Sequence, residues 1–238
     1  MTCIFLNTND KAGTWLYGAL KKKGVDNLVM IAAEELVYAQ QFSCGMEDDG
    51  SYFSIRLQNG LEITNQSVHT TVNRINFLPE AITSRFKPSD RSYVTQEQMA
   101  TFTFLFNILP GQLFNTSSGR GLNGQYRSQW EWLQLAKQAG LTTIEMAYEN
   151  YQLYQTTLTE VNPLVPVLYF NGKCFGRSII NNDHLYTCCQ QLGALSTDRI
   201  IEMYFRVVNQ TLLFTGASTV PAFQEAGDDF INELKELL

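Results

Sequence analysis

Histidine occurs only twice, as His69 and His184, so neither a Ser/His/Asp set nor a histidine-rich metal site can be assembled from this chain. His69 falls in a strand pattern and His184 at a helix start, where structural roles are expected. No apolar run approaches the roughly 20 residues needed to cross a bilayer. Basic residues are outnumbered, 17 Lys and Arg against 23 Asp and Glu, and form no stripe. The one basic cluster, Lys21-Lys22-Lys23, precedes Gly24 at the end of a predicted helix, where cations complement the dipole. Neither a membrane nor nucleic acid is therefore expected as a partner. The five cysteines (3, 44, 174, 188, 189) are odd in number and scattered, which argues against a disulfide framework. Cys188-Cys189 sits on a short amphipathic helix, where a buried apolar role is expected. The start, Met1 to Leu6, turns polar at Asn7 and reads as a buried strand rather than an export signal. A cytoplasmic location follows as an expectation, and the oligomeric state stays open.

What is present suits an α/β protein of 238 residues, 45% hydrophobic and 17% charged. Residues 3–6 form an apolar strand. Asn9 or Asp10 can cap a helix with Trp15, Leu16, Ala19 and Leu20 on one face, and Leu28–Ala32 reads as a second strand buried on both faces. This β-α-β opening predicts a parallel, Rossmann-like sheet. Phe53 to Leu57, Asn59-Gly60 and Leu61 to Ile63 read as a hairpin, and Val68–Ile75 as a further strand. Thr95-Gln96-Glu97-Gln98 has the form of a capping box, followed by Met99, Phe102, Phe106 and Leu109 at helical spacing. Phe104 lies off that stripe. A second capping box, Ser128 to Glu131, opens a helix that Gly140 closes. The remainder reads as antiparallel hairpins around Asn171-Gly172 and Asn209-Gln210, with helices on one face. One of these is capped by Asp183 and ended by Gly193, and the last carries Phe230, Ile231, Leu234 and Leu238.

An ordered string of short motifs runs through the first part. Val72-Asn73-Arg74-Ile75-Asn76-Phe77-Leu78-Pro79 leads to Tyr93 and Gln96-Glu97. Leu109-Pro110-Gly111, Leu113-Phe114-Asn115 and Leu122-Asn123-Gly124 follow, then Trp130 or Trp132 and Leu135 to Leu141. This succession resembles the pre-ATP-grasp region of RimK-like ATP-grasp proteins, which join carboxylates to amines through an acyl phosphate. The resemblance implies a Rossmann-like pre-ATP-grasp domain over 1–143. A small antiparallel α+β remnant of an ATP-grasp domain would occupy 144–238, with Arg199–Phe205 and Leu212–Phe214 as its hairpin.

The same resemblance exposes a deficit. An ATP-grasp domain holds the triphosphate with two lysines, and its magnesium with a Glu/Asp and a Glu-x-Asn set. Between Gly140 and Val165 there is no lysine, and Lys173 is the single lysine between Lys137 and Lys235. Where Glu-x-Asn would stand, the chain reads Thr215-Gly216-Ala217-Ser218-Thr219. A catalytically degenerate homologue is expected, one that binds rather than turns over ATP and carries no cofactor or metal. Its partner would be a peptide or a full-length ATP-grasp enzyme. Arg74, Asn115, Arg120 and Arg127, at or beside motif positions, are the ligand-binding candidates, since arginines fork onto carboxylates or phosphates without a metal.

Two rival readings use other residues. In an ATP-dependent carboxylate–amine ligase with a reduced nucleotide site, binding ATP and Mg²⁺, Lys173, Glu160, Asn162 and Glu202 would carry the chemistry. Glu160-Val161-Asn162-Pro163 spells the magnesium motif but reads as a turn. In a nucleotide-binding oxidoreductase, Gly119-Arg120-Gly121-Leu122-Asn123-Gly124 would be the phosphate loop, with Glu145 downstream. The helix cap that such a loop needs arrives only at Ser128.

Overall fold

A computed structural model describes residues 1–48, 50–149, 152–155, 164–176, 182–223 and 226–238. The chain divides into two compact units, Met1–Gln125 with Ile231–Leu238, and Tyr126–Phe230.

In the first unit, β1 (Thr2–Leu6) is buried along its whole length and lies between β2 (Leu28–Ala32) and β6 (Thr70–Asn73), all parallel. The predicted β-α-β opening is completed by α1 (Lys11–Lys22), where the Asp10 carboxylate accepts from the Gly13 N–H at 2.9 Å. Leu16 and Leu20 point inward, whereas Trp15, one position off that row, is half exposed. Met30 is exposed and Val29 and Ala32 are only partly buried, so β2 is not the strand buried on both faces that its apolar run predicts. After α2 (Ala33–Val37) come β3 (Gln41–Glu47), β4 (Gly50–Arg56) and β5 (Glu62–Thr64), an antiparallel meander; β4 and β5 are the expected hairpin.

After α3 (Glu80–Thr83), helix α4 (Arg91–Ile108) begins a turn earlier than the Thr95 capping box predicts. Nothing from Arg91 to Val94 breaks a helix. The Thr95 hydroxyl instead donates to the Arg91 carbonyl at 2.8 Å, the back-bond of a threonine inside a helix. Phe102, Leu105 and Phe106 are buried and Phe104 is partly buried.

The second unit holds α5 (Gln129–Gln138), the ribbon β7 (Met146–Glu149) and β8 (Gln152–Gln155), β9 (Leu164–Phe170) and β10 (Lys173–Phe175). It continues through α6 (Asp183–Ser196), β11 (Ile200–Val208) and β12 (Thr211–Ser218), and the chain's last helix is α7 (Gly227–Lys235). Ser128 and Glu131 make the predicted capping box of α5, bonding reciprocally to each other's backbone N–H. The sheet order is β10-β9-β11-β12, antiparallel throughout. Alternation assigns its faces: Val167, Tyr169, Ile201, Met203 and Phe205 pack with Trp132, Ala136, Cys189 and Leu192 of α5 and α6. Phe170, on the other face, meets Phe230 edge-on at 5.6 Å.

Two helix-end expectations change. Asn182, not Asp183, caps α6, its side chain accepting from the Leu185 N–H. Gly193 does not end α6, which runs on to Ser196 and stops at Thr197 in the left-handed conformation (φ 61°). A Cβ on Gly193 would stand 2.3 Å from the Tyr169 ring, so the glycine serves the close packing of α6 on β9.

Candidate functional site

Period-2 geometry places Glu202 and Tyr204 of β11 on one face of the sheet, opposite the face covered by α5 and α6. Glu202 is 1% exposed. Its Oε2 accepts from the Tyr204 hydroxyl at 2.9 Å and from the Ala222 backbone N–H, also at 2.9 Å. Burial, and after it the neighbouring Glu202 charge and hydrogen bond, push the Tyr204 hydroxyl far above the ordinary phenol range, so it remains a donor.

On β12 the register sets Ser218 opposite Glu202 and Gly216 opposite Tyr204. These are the cross-strand positions from which a second carboxylate would complete a cation site with Glu202. Neither carries one. Among the described residues, no three His, Cys, Asp or Glu side chains converge as metal ligands do. Lys173 follows the Asn171-Gly172 turn and is exposed. Glu160 and Asn162 lie outside the described residues. The donors around Glu202 among the described residues therefore do not make up a set that fits a magnesium–triphosphate group.

If Glu202 is a brace, its substitution has a distinct signature. Glu202→Leu leaves the Tyr204 O–H and Ala222 N–H without their acceptor and is expected to lower unfolding free energy by about 1–3 kcal/mol for each donor. Glu202→Gln keeps an oxygen for both and is expected to cost on the order of 1 kcal/mol. Urea denaturation of the two variants checks this ranking.

Beside these strands lies a cavity of about 310 Å³, lined among others by Arg127, Gln129, Trp132, Tyr204, Arg206 and Thr215. Arg127 stacks over the Trp132 ring at 4.9 Å and pairs with Asp198 at 2.5 Å, both side chains being over nine-tenths buried. Its other Nη donates to the Ser196 carbonyl. Sequence reasoning singled out Arg127 and gave Trp130 or Trp132 as a motif position, but missed Asp198 and the Tyr204–Glu202–Ala222 linkage. Asp198 lies 71 residues from Arg127, beyond the reach of any local pattern.

The other three candidates are in the first unit. Arg74 follows β6 and is fully buried; its Nε and Nη2 fork onto Asp10 Oδ2 and Oδ1 at 2.7 and 3.0 Å. Asn115 is buried, and Arg120 is exposed on a turn closed by reciprocal Ser118–Gly121 backbone bonds. The neighbouring motif asparagines act as braces. Asn73 Nδ2 donates to the Leu122 carbonyl at 2.7 Å, and Asn123 Nδ2 donates to the Asn73 carbonyl at 2.6 Å. No helix opens directly after the Gly119–Gly124 turn, since α5 starts at Gln129, so the loop lacks the strand-to-helix geometry that seats a dinucleotide. No helix among the described residues is long and apolar enough to cross a membrane.

The sequence matches no family model and no curated protein. The structure, however, is similar to several solved enzymes. One is a RiPP-associated ATP-grasp ligase from Chryseobacterium gregarium in complex with ADP and a leader and core peptide. It has TM-score 0.69 and 10% identity over 99% of this chain and 94% of that one. Another is macrocyclase MdnC from Microcystis aeruginosa MRC, bound with precursor peptide MdnA, with TM-score 0.70 and 9% identity over 100% and 99%. A third is ATP-grasp ligase PsnB, complexed with a phosphomimetic variant of its minimal precursor, Mg and ADP, with TM-score 0.66 and 11% identity over 99% and 96%. At 9–11% identity the likeness is one of fold, carried along nearly the whole chain. The chain therefore has the fold of the ATP-grasp ligases.

Proposed function

We propose that this protein is a catalytically degenerate RimK-like ATP-grasp homologue that binds a peptide, or a full-length ATP-grasp enzyme acting on one, without turning over ATP. The observation that carries this reading is the state of Glu202. It is buried and engaged by two protein donors, and Ser218 and Gly216 stand where a second carboxylate would be needed. Phosphoryl transfer depends on charge neutralisation around the phosphates, and the described strands supply too little of it. The domain division on this reading follows the resemblance, with the pre-ATP-grasp part at 1–143 and the reduced ATP-grasp part at 144–238.

A peptide target is supported by the ligases of this fold, which were solved with leader, core or precursor peptides. Arg206 and the Asp198-paired Arg127 line the β11–β12 cavity, and in the first unit Arg120 is exposed; guanidinium groups suit the acidic side chains of a peptide. Arg74, paired with Asp10, and Asn115 are both buried, and on this reading they contribute from within the first unit. Activity is tested by incubating the purified chain with ATP, magnesium and a mixture of amino acids and acidic peptides. No ADP release above the buffer rate is expected. Magnesium-dependent ADP release that requires a carboxylate and an amine would establish the ligase reading instead.

A further inference from the structure

A second cavity of about 310 Å³ in the same unit is lined by Gly140, Thr142, Asn182, His184, Cys188 and Gln210, among others. Two of these groups carry chemistry that the proposed function does not use. His184 and Cys188 are four residues apart on α6 and so share a helix face. The Cys188 Sγ lies 3.7 Å from His184 Nε2 and 3.9 Å from Nδ1. The imidazole is exposed while the sulfur is buried in the cavity wall, close against Gly140. A thiol in contact with an imidazole is a pairing from which the ring can take the S–H proton.

Burial pushes the Cys3 thiol up to about 11, the Cys174 thiol up to about 12 and the Cys189 thiol higher still. Cys44, partly exposed on β3, is also raised by burial.

We propose that the cavity beside α6 is a covalent modification site, in which Cys188, with His184 as its base, captures a small uncharged soft electrophile of the α,β-unsaturated carbonyl class. The S–H proton passes to the imidazole as sulfur bonds to the β-carbon. The carbon–carbon π bond breaks, and the resulting enolate takes the proton back from the imidazolium at the α-carbon. No oxidant, reductant or metal is needed. The polar wall residues suit a carbonyl, and a volume of this size admits a compact acceptor but not a peptide.

The test is limited labelling of the intact native chain with N-ethylmaleimide, mapped by tandem mass spectrometry so that Cys188 and Cys189 are resolved. Cys188 is expected to label first, and His184→Gln to slow it at least about tenfold. Thermal melting of the variant, with His184 on the exposed first turn of α6, checks that it is folded. Labelling of Cys44 before Cys188 in the wild type would overturn the proposal without recourse to any variant. An unchanged Cys188 rate in a folded His184→Gln protein would equally overturn it. The outcome does not depend on whether the protein turns over ATP.

Discussion

Asp198→Ala is expected to destabilise the second unit by about 3–5 kcal/mol, the loss that follows when one partner of a buried ion pair is removed and the other stays behind. Arg127 would remain with its guanidinium against Trp132 and the Ser196 carbonyl, out of water and without its carboxylate. Lysine is not a substitute, because the pair combines an in-plane hydrogen bond with ring stacking. The double change Asp198→Ala with Arg127→Met is expected to recover a large part of the loss, since no uncompensated charge remains. Denaturant melts of the two single variants and the double variant yield the coupling free energy directly. Should Asp198→Ala unfold at the wild-type midpoint, the pair would be a surface contact rather than the brace behind the cavity.

The second large effect belongs to Arg74. Arg74→Ala is expected to cost about 3–5 kcal/mol in the first unit, because its side chain is almost fully buried and Asp10 relies on it. Asp10 has two tasks, pairing with Arg74 and capping α1 through the Gly13 N–H. Asp10→Asn keeps an oxygen for the cap and loses the charge, so it is expected to be milder than Asp10→Ala by about 0.5–2 kcal/mol, the usual worth of a cap. Arg74→Lys retains the charge but cannot fork onto both oxygens, and is expected to fall between wild type and Arg74→Ala. Circular dichroism against urea orders the four variants. A binding role for Arg74 without a structural one would leave both Arg74 variants at the wild-type midpoint.

Much of the fold is legible where the signal is local. Asn171-Gly172 and Asn209-Gln210 adopt the positive φ values that two-residue hairpin turns require, 47° and 88° in the first and 47° and 64° in the second. Ser128 and Glu131 cap α5 as their spacing predicts. Strand β3 is harder to read: Phe42, Cys44 and Met46 alternate, but Gly45 and short polar neighbours dilute the pattern. Thr95 and Gly193 mislead for a common reason. A threonine can bond back to the preceding turn, and a glycine can serve close packing, so neither residue marks a boundary by itself.

The site was legible in part, through Arg127, Glu202 and a shortage of lysine. Missing lysines and the Thr215–Thr219 stretch are visible in one dimension, whereas the fate of the surviving carboxyl is not. That Glu202 meets Tyr204 follows from strand periodicity, but its bond to Ala222 and the Arg127–Asp198 pair arise from chain segments brought together by folding.

The central claim is that the ATP-grasp architecture persists here without its magnesium–nucleotide chemistry. Isothermal calorimetry of the purified chain with ATP, in the presence and absence of magnesium, tests it most directly. No saturable heat at ATP concentrations up to the millimolar range is the predicted result in either titration. Micromolar binding that appears only when magnesium is present would contradict it, because a cation and its triphosphate would then have found ligands that Glu202, Ser218 and Gly216 do not provide.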